Sequence, residues 1–171
     1  VFQGAVFMDF AEAEMTAPQG FPCGVYEPIN PELLPPLYVA YSTDQSEPTE
    51  VVHNDLRARF ERGDAEVIAA MTRFAELTEL FRRGLDQHDK QELERLIDAN
   101  FDLRHSICNI APGQLKMVEL AREAGATAKF AGSGGAIIGT YQDASGYERL
   151  QERLGSLGCQ VIQPIYVPSL A

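Results

Sequence analysis

From Leu37 onward the sequence predicts an α+β fold, a ferredoxin-like split βαβ sandwich whose first crossover is enlarged by two or three extra helices. Three observations carry this. Apolar runs of strand length and segments of helical period follow one another as strand, helices, strand, strand, helix, strand. The Gly132-Ser133-Gly134-Gly135 turn separates two of those strands closely enough to make them hairpin partners. No internal repeat or low-complexity tract competes with this order.

The elements follow in sequence. Val1 to Phe10 reads as a strand already under way, with no initiator Met, and suggests a piece of a larger protein. Ala17 to Pro36 contains Pro18, Gly20, Pro22, Gly24, Pro28, Pro31, Pro35 and Pro36, a spacing that breaks helices and leaves room for a short strand near Gly24 to Glu27. Residues 1–36 are therefore set apart from a domain spanning 37–171. Leu37 to Tyr41 is a buried-strand candidate, followed by a polar loop in which Ser42, Ser46 and Thr49 are either ligand contacts or ordinary loop and capping hydroxyls.

Val51 to Arg62 looks helical and stops at Gly63. Asp64 then caps a helix to about Leu85, whose stripe of Val67, Met71, Phe74, Thr78, Phe81 and Leu85 is expected to face the core. Asp89 and Glu92 form a capping-box pattern opening the next helix, to about Ile107. Its apolar face combines Leu93, Leu96, Ile97, Leu103 and Ile107, with Asn100 and Arg104 in the middle. Polar groups in that position need partners, whether an internal network, water or a ligand, because an unpaired buried amide costs about 1–3 kcal/mol. Pro112 and Gly125 bracket a fourth helix carrying Met117, Leu120, Ala121 and Ala124 on one stripe. Ala126 to Ala131 and Ala136 to Tyr141 are the hairpin strands, Ser145 to Glu148 a capping box for the last helix, and Gln160 to Val167 the final strand with Pro164 at an edge.

A net charge of −11 opposes binding to nucleic acid or to an anionic membrane, and any phosphate chemistry needs a local cation. Cys23, Cys108 and Cys159 are scattered, without a Cys-x-x-Cys pair, which fits a reducing cytoplasm better than a disulfide framework or zinc. His53, His88 and His105 lack metal-ligand spacing and read as structural or surface residues. No apolar run reaches the ~18 residues of a membrane span.

The glycine turn is the most informative stretch. Its backbone can take positive φ, approach a ligand closely and aim N–H groups at an anion, although a plain hairpin also explains it. It is neither a Walker loop, since no Gly-Lys-Ser/Thr follows, nor a Rossmann loop, since Ile137 stands where the last Gly belongs. A strand follows it, so no helix N-terminus is on hand there for a pyrophosphate.

The string from Gly125 through Ala126, Lys129 and Gly132-Ser133-Gly134-Gly135 resembles the third motif of the GHMP kinases, Gly-Ala-x-x-Lys-x-x-Gly-Ser/Ala-Gly-Gly. Phe7 to Phe10, Leu33 to Leu37, Asn100 to Arg104 and Met117 to Arg122 extend the resemblance over nearly the whole chain, and within the superfamily it is similar to glucuronokinase-type sugar kinases. The resemblance implies the C-terminal half of such a kinase, with a ferredoxin-like C-terminal domain at 37–171. It implies Lys129, Gly132, Ser133, Gly134 and Gly135 beside the transferring phosphate, and Asn100 and Arg104 on the substrate, Arg104 suiting an acidic sugar. Lys129 supplies charge there or pairs with a surface carboxylate. The family's Pro-x-x-x-Gly-Leu-x-Ser-Ser-Ala nucleotide loop does not occur in this sequence, and no catalytic Asp is assigned in it. The resemblance therefore places ATP, Mg²⁺ and the catalytic base mainly on an N-terminal domain, assigns no metal ligand to this chain, and leaves the chain inactive alone. A free-standing metabolite-binding or interaction module is the alternative.

Overall fold

The computed structural model describes residues 5–10, 23–42 and 49–165, with side chains in the last segment from residue 55. Val1 to Gly4, Pro18, Gly20, Pro22, Ser46, the side chains of Thr49 and His53, and Tyr166 to Val167 lie outside the described residues. The chain divides into two compact units, one of Val1–Leu34 with Ile165–Ala171 and one of Pro35–Pro164.

In the first unit, β1 (Val6–Asp9) pairs antiparallel with β2 (Val25–Pro28), Met8 opposite Tyr26. The Phe10 ring meets Tyr26 edge-on at 5.9 Å. A short 3₁₀ turn, Pro31–Leu33, follows with Asn30 capping it and Pro at its first position.

The second unit holds β3 (Leu37–Ser42), α1 (Thr49–Glu61), α2 (Ala65–Asp86), α3 (Lys90–Ile107), α4 (Pro112–Glu123), β4 (Lys129–Phe130), β5 (Ala136–Thr140), α5 (Ala144–Gly155) and β6 (Cys159–Ile162). Its sheet runs β4-β5-β3-β6 with antiparallel neighbours throughout. The β3 and β4 strands are thus separated by β5, and α1 to α4 lie between them in sequence, which is the split βαβ arrangement with an enlarged first crossover. Tyr38 and Ala40 of β3 and Ile137 of β5 are wholly buried and pack with Phe101 of α3, Met117, Val118 and Ala121 of α4, and Leu150 and Leu154 of α5. Alternate residues Leu37, Val39 and Tyr41 lie on the opposite, half-buried face.

Local chemistry sets the helix starts. Asp64 accepts from Glu66 N and Val67 N, and Asp89 from Glu92 N at 3.1 Å. The box at Asp89 is half formed, because the Glu92 carboxylate turns to Arg95 instead of back to the cap. For α5 the cap is Asp143, accepting from Gly146 N at 2.8 Å, and Ser145 donates to that carboxylate rather than capping. A carboxylate accepts more strongly than a hydroxyl, so it takes the position.

The α2 stripe differs from the expected one. Its buried residues are Val67, Ala70, Leu77, Gly84 and Leu85, whereas Met71 and Thr78 are exposed. Small residues let α2 approach α3 closely, and Leu93 Cδ2 lies 3.0 Å from where a Cβ on Gly84 would stand. On α3, Phe101 is buried and Leu103 half-exposed, since that helix packs against α2 and also against the β4–β5 hairpin. The first hairpin strand is shorter than expected. Thr127 still donates to Thr140 O at 3.0 Å, and the Ala128 N–H, which faces away from β5, meets Asp98 Oδ1 at 2.9 Å. The final strand likewise ends at Ile162, before Pro164.

Candidate functional site

Between β4 and β5 the chain reverses through Ala131 to Gly135. Ala131 N donates to Ala136 O at 3.0 Å, and Ser42 N, at the end of β3, donates to Gly135 O at 3.2 Å. Gly134 has φ 154° and Gly135 φ 75°, conformations that favour glycine, so the run of glycines is required by the backbone path. Beneath Gly134 lies the amide of Gln114, whose Oε1 is 2.5 Å from where a Cβ on that glycine would stand. A side chain at 134 would strike it.

Arg104, on the last turn of α3, reaches the turn from the side. Its Nη1 donates to Gly132 O at 2.8 Å and its Nη2 to Ser133 O at 3.0 Å, while the guanidinium lies 5.1 Å above the Phe130 ring. Phe130 in turn meets Phe101 edge-on at 5.3 Å, so α3 and the hairpin are locked by an aromatic pair. Lys129 is half-buried, and its Nζ donates to Phe130 O at 3.1 Å. Burial holds its pKa below the ordinary lysine value, with the nearby Arg104 charge acting in the same direction.

Among the described residues neither Arg104 nor Lys129 has a carboxylate partner. Their hydrogen bonds go to carbonyl oxygens, which orient a cation without neutralising it. In a chain of net charge −11 this leaves two uncompensated cations at one turn. Asn100, one helical turn before Arg104, is half-buried, and among the described residues its side-chain amide has no hydrogen-bond partner.

Two further residues shape the site and were not singled out from the sequence. Gln114 is 5% exposed, in the first turn of α4, and among the described residues its side chain likewise makes no hydrogen bond. The signal for it was a polar residue in phase with the apolar stripe of Met117 and Ala121. Asp98 fixes the approach to β4. Its Oδ1 accepts from Ala128 N and from Arg122 Nε at 3.0 Å, and Arg122 also reaches Asp102 at 2.8 Å. Burial raises the Asp98 pKa despite those donors.

The structure joins Arg104 to Gly132 and Ser133 by hydrogen bonds and Ser42 to Gly135 through the backbone, while Lys129 stands at the start of the same turn with its Nζ on Phe130 O and Asn100 lies one helical turn before Arg104. Among the described residues the N–H groups of Gly134 and Gly135 have no acceptor. Such an arrangement suits an anionic oxygen. A hollow of about 380 Å³ between α2 and α3, lined by Glu66, Arg73, Leu103 and Ser106 among others, shares no residue with this turn.

No family model matches the chain. It is 38% identical over 138 residues to probable glucuronokinase 2 of Arabidopsis thaliana, and 36% identical over 141 residues to glucuronokinase 1 of the same plant. These matches cover 79% and 81% of the chain but only 37% and 38% of the relatives, so the chain spans less than half their length. Among solved structures, L. major mevalonate kinase in complex with R-mevalonate is similar over 90% of this chain and 49% of its own, with a TM-score of 0.71 at 20% identity. Streptococcus pneumoniae phosphomevalonate kinase is similar over 83% of this chain and 44% of its own, with a TM-score of 0.64 at 16% identity.

Proposed function

Because the chain is homologous to part of the glucuronokinases and has the C-terminal-domain fold of the GHMP kinases, we propose that it forms the substrate side of an ATP-dependent small-molecule kinase acting on a sugar alcohol group, glucuronic acid foremost. The observation that carries this reading is the glycine turn, with two unpaired cations beside it and two amides lacking acceptors.

In this reaction the γ-phosphoryl leaves ATP as its bond to the bridging oxygen breaks. A new P–O bond forms to the sugar hydroxyl, whose proton passes to a base on the N-terminal half. Positioning and charge stabilisation dominate such transfers. Gly134 and Gly135 hold a transferring oxygen through backbone N–H groups, and Lys129 and Arg104 raise the local positive potential. Asn100 contacts the acceptor sugar. The residues fit a phosphate group. Mg²⁺ arrives with the nucleotide, and this reading assigns its ligands to an N-terminal partner domain. The reading places the protein in the cytoplasm, where ATP and the sugar are found.

The test is a coupled ATP assay on the chain alone and on the chain joined to a nucleotide-binding N-terminal half, with uronic acids, hexoses and mevalonate as acceptors. Turnover is expected only in the joined protein and fastest with glucuronic acid. Gly134→Val, which places a side chain against Gln114 at φ 154°, is expected to lower turnover by orders of magnitude with the fold retained. A joined protein that phosphorylates none of these acceptors, yet binds one of them, is a binding module instead.

A further inference from the structure

We infer that Arg104 is a positioning residue that acts on the glycine turn, and through it on the bound anion, rather than on the sugar. The inference rests on reading the turn as the phosphate-facing wall. It begins with two successive carbonyls, Gly132 O and Ser133 O, both held by one guanidinium at 2.8 and 3.0 Å. The described peptide bonds are all trans, and in a planar trans peptide the C=O and the following N–H point in opposite directions. Drawing these two carbonyls toward α3 therefore turns the Ser133 and Gly134 N–H groups away from it, on the side where Gly134 N–H has no acceptor among the described residues.

The turn needs such a hold. Glycine peptide planes flip at little steric cost, and Gly134 and Gly135 have no side chain with which to fix themselves. Arg104 is fixed in its turn by the Phe130 face at 5.1 Å and by its place on α3, where the Cys108 thiol lies one helical turn on. A fork is required for this, because two carbonyls at fixed spacing match the parallel donors of a guanidinium and not the single point charge of an ammonium. Both acceptors are neutral, so the positive charge of Arg104 stays at the turn and adds to that of Lys129. One side chain sets both the direction of the amides and the field behind them. One N–H from each of its two Nη atoms is spent on backbone, which commits the end-on pair of the fork to the turn.

The experiment uses the ¹⁵N-labelled chain titrated with inorganic phosphate, against chloride at matched ionic strength. In the unaltered chain the Gly134 amide resonance is expected to move and saturate with phosphate alone. Arg104→Lys, which keeps the charge and loses the fork, should weaken that response by at least about tenfold. Arg104→Ala should abolish it, with recovery on adding methylguanidinium and none on adding methylammonium. The Ala128 and Gly139 amides report that the fold is intact in each variant. A response that survives Arg104→Lys at full affinity, or is restored equally by methylammonium, overturns the role given to Arg104 and leaves the proposed function standing. A chain whose turn amides ignore phosphate overturns both.

Discussion

Replacing Gly139 with Ala should strongly destabilise the fold, although the change adds only one methyl group. Gly139 lies in β5 opposite Tyr38 of β3. A Cβ there would overlap the Thr127 carbonyl oxygen outright, and would stand 2.6 Å from its carbon and 2.9 Å from Tyr38 Cε1. Neither neighbour yields easily. The Thr127 carbonyl is backbone and accepts from the buried Tyr38 hydroxyl at 2.8 Å, while Thr127 is tied again to Thr140 by hydroxyl and backbone bonds. Overpacking costs about 1–3 kcal/mol, and separating a buried carbonyl from its donor adds about 1–3 kcal/mol. The sum, roughly 2–6 kcal/mol, is comparable to a domain's stability of about 5–15 kcal/mol. With a urea slope of about 1–3 kcal/mol per molar, the unfolding midpoint should fall by roughly 2 M. Gly155→Ala is the control, since a Cβ there meets nothing within 4 Å inside α5 and should stabilise by up to about 1 kcal/mol. A Gly139→Ala midpoint within about 0.3 M of the unaltered chain would refute the reasoning.

Two other outcomes follow from the ion pairs and caps. Arg122→Met removes the donors to Asp98 and Asp102 and leaves a half-buried carboxylate with the Ala128 amide alone. It should cost about 1–3 kcal/mol in urea unfolding and speed hydrogen exchange at Ala128, and unchanged exchange there would count against Asp98 as the anchor of β4. Acid should also weaken the fold: the Gly146 amide holds the Asp143 carboxyl below its ordinary value of 3.8, and Arg59 does the same for Asp64. Their stabilisation is present above the unfolded pKa and is lost as pH falls through the folded one. Asp98 runs the other way, because burial raises it, so its folded form keeps a proton that the unfolded chain has already released. NMR titration should place Asp98 above the other two, and the reverse order would refute the assignment.

What was legible in the sequence is what local chemistry decides. Asp64 and Asp89 cap because a carboxylate before a helix meets free N–H groups within three residues, and Gly125 ends α4 because its φ is 84°. The strand order was legible because apolar alternation and turn signals agree. The α2 stripe was not, since Ala70 and Gly84 are buried for their smallness, which hydrophobicity does not record. Phe101 escaped because α3 has two packed faces where an amphipathic reading allows one. At the site, Asn100 and Arg104 announced themselves as polar residues on an apolar face, but that Arg104 reaches backbone carbonyls depends on a contact 28 residues away. Gln114 gave the same kind of signal more faintly, at a helix start where polar residues are common.

The bond from Ala128 N–H to Asp98 has a bearing on solubility. An open sheet offers its two outermost strands to any other chain with unpaired amides, and here those strands are β4 and β6. At β4 the helix side chain takes an amide that a foreign strand would use, and the strand is cut to two residues. At β6 the ladder stops within four residues and Pro164 follows without an N–H to give. Both described borders are thereby short, which limits the length over which a foreign strand could pair with either.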